Sequence, residues 1–175
     1  MFILVFFQLL LIVLSARKFA IRIRKCPSDK GSWCNMKTCS LKRLNATMSR
    51  LDLHIAVLKD LPESALVDIV GNERIGSRYV PNGFAIRKDI NLCQMLQSED
   101  FQELAEKRPG LPNGCPVEKG NYTLRNYRID ESGLPDSLPV QDNWRVDITV
   151  KNSGKKLCSN HVFVYIDHNV GRNSG

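Results

Sequence analysis

The chain has 175 residues, with 25 Lys/Arg against 18 Asp/Glu, three histidines and a net charge of +7. That length suits one domain, and the scattered histidines with no CxxC pair leave no metal-ligand set. No GxSxG elbow, HExxH pair or phosphate loop occurs, and no acid recurs on an apolar strand face, so no catalytic residue and no cofactor is expected.

Residues 1–16, MFILVFFQLLLIVLSA, are apolar and uncharged, and Arg17 and Lys18 follow at once. The run is short for a membrane span of about 20 residues and reads as a secretory signal cut after Ser15 or Ala16. A retained signal anchor is the alternative. Export accounts for six cysteines, Cys26, Cys34, Cys39, Cys93, Cys115 and Cys158, which in an oxidising compartment form disulfides. It also accounts for two N-glycosylation sequons, at Asn45 and Asn121. A secreted chain has no nucleic-acid partner. From Arg17 to Arg50 there are ten Lys/Arg against one acid, Asp29. Residues 17–38 therefore read as a basic, cysteine-rich arm able to meet a membrane surface or a receptor.

The folded domain is expected over 39–167. Leu51, Leu53, Ile55 and Val57 alternate with Asp52, His54 and Ala56, the period of a strand with one buried face. Val67 and Ile69 repeat that pattern. GNERIGSRYVPNGF predicts a hairpin with a loop. In DINLCQMLQSEDFQELAEKRPG the period changes: Leu92, Met95 and Leu96 share one helical face, and Phe101, Leu104 and Ala105 another. One or two short helices are expected there, the second capped by Ser98 and ended by Pro109-Gly110.

Strands resume after Cys115-Pro116, with Tyr122 and Leu124 on one face. LPDSLPVQDN is a proline-rich loop. NWRVDITVK places Trp144, Val146, Ile148 and Val150 together, and Asn152-Ser153-Gly154-Lys155 turns the chain into KLCSNHVFVYID, where Val162, Val164 and Ile166 align. Residues 168–175 carry no pattern and should fray. The sum is an all-β chain, an antiparallel two-sheet sandwich of immunoglobulin-like kind with a helical-loop insertion.

Four blocks carry a family resemblance: CP-x-x-x-G-x-Y-x-L from Cys115 to Leu124, LPDSLP at 134–139, NWRVDITV, and SGKKLC ending at Cys158. In this order they resemble the ganglioside-activator-like proteins of the MD-2-related lipid-recognition family. KRLNAT before the 48–57 strand and DINLCQML before Cys115 resemble the small secreted insect, chemosensory-type members. The resemblance implies a β-cup whose sheets splay around a lipid or other hydrophobic small molecule. Its cavity would be lined by Leu53, Ile55, Val57, Tyr122, Leu124, Trp144, Val146, Ile148 and Val164. Val80, Phe84, Met95, Leu96, Phe101 and Leu111 would form its rim or lid. The resemblance also implies a Cys93–Cys115 bridge and a bridge from Cys158 to a cysteine before the first strand, Cys39 rather than Cys34, which leaves Cys26–Cys34. The competing expectation is a secreted interaction module with a solid core, whose contact surface is the basic arm at Arg22, Arg24 and Lys25.

Overall fold

Alternating apolar and polar residues become eight strands among the described residues of a computed structural model, which cover 20–30, 32–45, 48–112, 114–130 and 142–167, the side chains of Phe84 and Asp130 excepted. In chain order these are β1 (Ala20–Lys25), β2 (Cys34–Arg43), β3 (Met48–Val57), β4 (Leu66–Ile75) and β5 (Arg78–Asn91). Helices α1 (Leu92–Leu96) and α2 (Glu99–Lys107) follow, then β6 (Gly120–Asp130), β7 (Asn143–Asn152) and β8 (Lys155–Asp167). All neighbours pair antiparallel, in a five-stranded sheet of order β1-β8-β7-β4-β5 and a three-stranded sheet of order β2-β3-β6. The fold is an antiparallel two-sheet β-sandwich with a helical insertion. The signal segment, the Asn45 sequon beyond Asn45 itself, the LPDSLP loop and the tail lie outside the described residues.

The expected basic arm is part of the sandwich. β1 pairs with β8 from Ala20↔Asp167 to Lys25↔Phe163, and β2 pairs with β3 from Cys34↔Val57 to Arg43↔Ser49. The reason is legible afterwards: in AIRIRK, Ile21 and Ile23 alternate with Arg22 and Arg24, the strand period beneath a dense charge. Ala20 and Ile21 are buried.

Turn chemistry sets the hairpins. Ser153 and Gly154 have φ of 48° and 75°, the double positive φ that lets a two-residue turn follow the strands' twist. The β4–β5 hairpin is as tight, turning at Gly76-Ser77, so VPNGF lies within β5 rather than in a loop.

Helix α1 is capped by Asn91, whose side chain accepts from the Gln94 amide. Ser98 stands at the N-cap of α2, but its hydroxyl donates to the Met95 carbonyl at 2.8 Å and makes no side-chain cap. Glu99 and Asp100 in the first turn and Lys107 in the last match the helix dipole. Gly110 then lets the chain lie against β6: its carbonyl accepts from the Thr123 amide at 2.6 Å. A Cβ on Gly110 would stand 2.4 Å from the Thr123 carbonyl oxygen. The helical segment is thereby fixed along the β6 edge.

Three disulfides tie this frame. Cys93–Cys115 joins α1 to the root of β6, the pairing implied by the family resemblance. The others correct the expectation: Cys34 pairs with Cys158, and Cys26 with Cys39. Strand geometry explains the exchange. Cys34 opens β2 at the end where Cys158 sits, and both are buried in one cluster. Cys39 lies five residues further along β2, about 17 Å at strand rise, beside the end of β1.

Candidate functional site: the inner faces of the two sheets

The core is continuous at one end of the sandwich and divided at the other. At the helix end, Cys34 and Val57 of the three-stranded sheet, Val67, Val150, Leu157 and Cys158 of the five-stranded sheet, and Leu92, Leu96, Phe101 and Ala105 of the helices form one buried cluster. At the far end there are two. One is Ile21, Val146, Val162, Val164 and Ile166, all from β1, β7 and β8. The other is Leu51, Leu124 and Ile129, all from β3 and β6. Each sheet there keeps a buried layer of its own.

Several inward side chains are only partly covered: Ile55 and Tyr122 pack on the helix-end cluster, Ile69 and Ile148 on that cluster and on the five-stranded sheet's layer, Trp144 on that layer, and Leu53 on the three-stranded sheet's. Leu53, Ile55, Ile69, Tyr122, Trp144 and Ile148 all face inward and all retain exposure. Register brings them into pairs: Ile55 opposite Tyr122 and Leu53 opposite Leu124 on one wall, Ile69 opposite Ile148 and Trp144 opposite Val164 on the other. In a meshed sandwich such central positions would be buried. Ile23 and Leu41 pack against both far-end clusters and, with Cys26–Cys39, hold the β1/β2 edge together. Across the sandwich, Leu104 of α2 and Leu111 pack on the three-stranded sheet's layer. The inner faces are thus flanked by a bridged edge and a helical edge.

Of the expected cavity residues, Val57, Leu124, Val146 and Val164 are buried, with Leu124 at 2% exposure, and they are spread over all three clusters. The expected lid divides. Met95 and Leu111 are half-buried, and Val80 is 40% exposed near the β4–β5 turn. Leu96 and Phe101 are buried core of the helix end and cannot act as rim. Phe84 lies in β5, its side chain outside the described residues. Four wall residues were absent from the sequence-based set: Ile23, Met36, Leu41 and Ile69. Three of them stand on β1 and β2, where charge and cysteine density masked the alternation; Ile69 was read as strand but not as wall.

A separate surface recess of about 330 Å³ is lined by Pro112, Gly114, Cys115, Pro116, Glu118 and Tyr122. It is open and mostly polar, and lies at the root of β6 rather than between the sheets. Burial, reinforced by Glu118 and Asp60, raises the Tyr122 phenol above its usual range. The neutral hydroxyl donates to the Glu118 carbonyl at 2.9 Å.

Polar chemistry lies mostly on the outer faces, but Asn160, opposite Ile148 on β8, brings a buried amide to the inner side. Buried Asn160 accepts from the Ser28 hydroxyl at 2.6 Å and the Met36 amide at 3.2 Å. On the outer face of the five-stranded sheet, His161 lies between Asp147 (2.6 Å) and Asp29 (3.1 Å). Hydrogen bonds from Lys156 and His161 lower the Asp29 carboxyl against a smaller desolvation effect. The β1 cations, expected as a free contact surface, are engaged: Arg22 with Asp167, Arg24 over Tyr165 at 4.4 Å, and Lys25 over Phe163 at 4.5 Å. Among the described residues no group of acids, histidines and cysteines could hold a metal, and no helix is long and apolar enough to cross a membrane.

A family described as a protein of unknown function (DUF1091) matches residues 71–143. No curated protein matches. Among solved structures the chain is similar to a Niemann-Pick type C2 protein from Japanese carpenter ant, at 12% identity over 82% of this chain and 91% of that one, with a TM-score of 0.35.

Proposed function

We propose that this protein is a secreted, non-catalytic binding protein that holds a lipid or other hydrophobic small molecule between its two sheets, for transport, presentation or chemosensory signalling. The observation that carries this reading is the division of the core. At the far end each sheet has its own buried layer, and the inward Leu53 and Trp144 there, with Ile69 and Ile148 that run on into the helix-end cluster, are only partly covered. Apolar side chains left half-wet between two rigid walls are stabilised by an apolar guest. Each buried methylene contributes about 0.8 kcal/mol, so a twelve-carbon tail offers roughly 10 kcal/mol before ordering costs. The three disulfides agree with folding in an oxidising compartment. Export and glycosylation at Asn45 and Asn121 belong to the same proposal; Asn121 is exposed on β6.

Delipidated protein should take up a fluorescent fatty-acid analogue saturably, and an unlabelled long-chain lipid should displace it. Ile148→Asp, which puts a charge on the wall, should weaken uptake at least about tenfold. Leu53→Trp, which fills the space without adding charge, should weaken it while the circular dichroism spectrum stays unchanged. A folded wild-type protein that takes up no apolar probe would overturn the proposal.

A further inference from the structure

We propose that the Asn160 side-chain amide selects the guest, donating a hydrogen bond to an uncharged oxygen (ester, ketone or alcohol) on an otherwise apolar molecule. This inference rests on the lipid-binding reading and says which lipids it favours. The inward row of β8 reads Cys158, Asn160, Val162, Val164 and Ile166, and all five are buried. Asn160 interrupts an otherwise apolar series. It stands where the helix-end cluster, which holds Cys158, gives way to the five-stranded sheet's own layer, which holds the other three. Opposite it on β7 is Ile148, half-buried and packed on both clusters.

The orientation of the amide is fixed by its neighbours. The Met36 backbone N–H points at the Ser28 hydroxyl oxygen (2.8 Å) and at Asn160 Oδ1 (3.2 Å). Having accepted from Met36, the Ser28 hydroxyl directs its own proton to Asn160 Oδ1 at 2.6 Å. Two donors on one side-chain oxygen identify it as the carbonyl. The NH2 group therefore faces the other way. Its contact among the described residues is the Cys34 sulfur at 3.9 Å, a weak acceptor. Holding the β1–β2 loop accounts for the carbonyl end of Asn160. It does not account for a buried NH2 with two N–H donors and no oxygen to receive them, which proteins rarely tolerate.

The surroundings set the kind of acceptor. The cross-strand neighbours are Ile148 and Ser28, and the same-face neighbours along β8 are Cys158 and Val162. No cation is among them, so a carboxylate brought here would be buried without a counter-charge. A neutral oxygen needs only the amide. Ile148 and Met36, both half-buried, flank Asn160 on the side where guest and protein would meet.

The test uses the full secreted chain, delipidated, with methyl dodecanoate and pentadecane competing against the fluorescent fatty-acid analogue. The two guests have equal numbers of heavy atoms, and only the ester carries an acceptor. The ratio of ester to alkane affinity should be at least about fivefold higher in the wild type than in Asn160→Leu. Taking a ratio within each protein cancels the hydration of the guests and any general loosening of the variant. Should Asn160→Leu fail to fold, the wild type decides alone. The assigned Asn160 side-chain amide signals in a nitrogen–proton NMR spectrum should move with the ester and stay in place with the alkane. Equal ratios in the two proteins, or amide signals that both guests move alike, would overturn this inference and leave the lipid-binding reading standing. Displacement by neither guest, with no uptake of the analogue itself, would overturn both.

Discussion

The two ends of this sandwich are built from the same strands yet solve the burial problem differently. At the helix end, residues from both sheets and both helices share one buried cluster. Two disulfides, Cys34–Cys158 and Cys93–Cys115, are sited there, and the β3–β4 connection is tied down by the Leu61↔Val117 bridge and by Asp60 accepting from the Lys119 amide. At the far end the buried residues belong to one sheet at a time. An apolar strand face must be covered, but a facing sheet is only one way to cover it. Where helices supply a third wall, the sheets close on it. Where only Leu104 of α2 and Leu111 reach, they share contacts along the bridged edge and leave several inward side chains half-covered. Burial shared by both sheets is concentrated at one end, and the proposed guest would enter at the other.

Cutting the helix end should have the largest effect. Cys34→Ala/Cys158→Ala opens a bridge spanning 124 residues of sequence, worth on the order of 4–5 kcal/mol by the chain-entropy account. Cys26→Ala/Cys39→Ala opens a span of 13 residues, worth about 3 kcal/mol. Urea unfolding of the two double variants ranks them. The reverse order would mean that the bridged edge, not the helix end, anchors the fold.

The exchange of these cysteines also shows what the sequence could and could not reveal. Period-two alternation carried most strands, because a residue's face is written in its immediate neighbours. The Cys93–Cys115 bridge and the wall residues on β3, β6 and β7 were accessible in that way or through the family motifs. β1 was hidden because Arg22, Arg24 and Lys25 make AIRIRK look like a solvated arm. Arg24 and Lys25 are in fact drawn onto Tyr165 and Phe163 of β8, a strand more than a hundred residues away, and Arg22 pairs with Asp167 of the same strand. The choice between Cys34 and Cys39 turned on how far β2 begins before β3, and no local signal states that. Likewise, Leu96 and Phe101 had the periodicity of an exposed lid's inner face, and only the packing of both helices into the joint cluster makes them core. The split of the core at the far end depends on which inward side chains of the two sheets meet, which alternation cannot encode.

Alanine substitutions sharpen the contrast on a smaller scale. Leu96 is 3% exposed within the joint cluster, so Leu96→Ala should cost about 3 kcal/mol. Leu53 is only partly buried and packs on the smaller far-end layer. Leu53→Ala removes the same atoms from a site already half in water and should cost about 1 kcal/mol. Saturating the protein with an apolar ligand should widen the effect of Leu53→Ala and leave that of Leu96→Ala unchanged, because only the first would lose a contact with the guest. Equal costs in both conditions would place Leu53 in a closed core.

The smallest effect is electrostatic and acts on the helix end from outside. Burial raises the Asp68 carboxyl, but hydrogen bonds from Lys151 and the Asp89 amide, with the Lys151 charge, bring it below its reference of 3.8. Asp29 is lowered from the same reference. A folded-state value below the unfolded one means the folded protein binds that proton less readily. The stabilisation is therefore complete above the unfolded value and is lost as pH falls through the folded value. The thermal midpoint should hold from neutral pH down to about 5 and decline below about 4. Each pair should contribute under about 1 kcal/mol, since both carboxylates keep contact with solvent. Asp29→Asn/Asp68→Asn should lower the midpoint at neutral pH and flatten the acid decline. Lys151 joins Asp68 of β4 and Asp89 of β5 on the outer face, beside the strand ends that enter the joint cluster. Acid thus loosens the better-packed end, and the gap between the costs of Leu96→Ala and Leu53→Ala should narrow there. A gap that stays constant down to pH 3 would show that these ion pairs lie on the fold without supporting it.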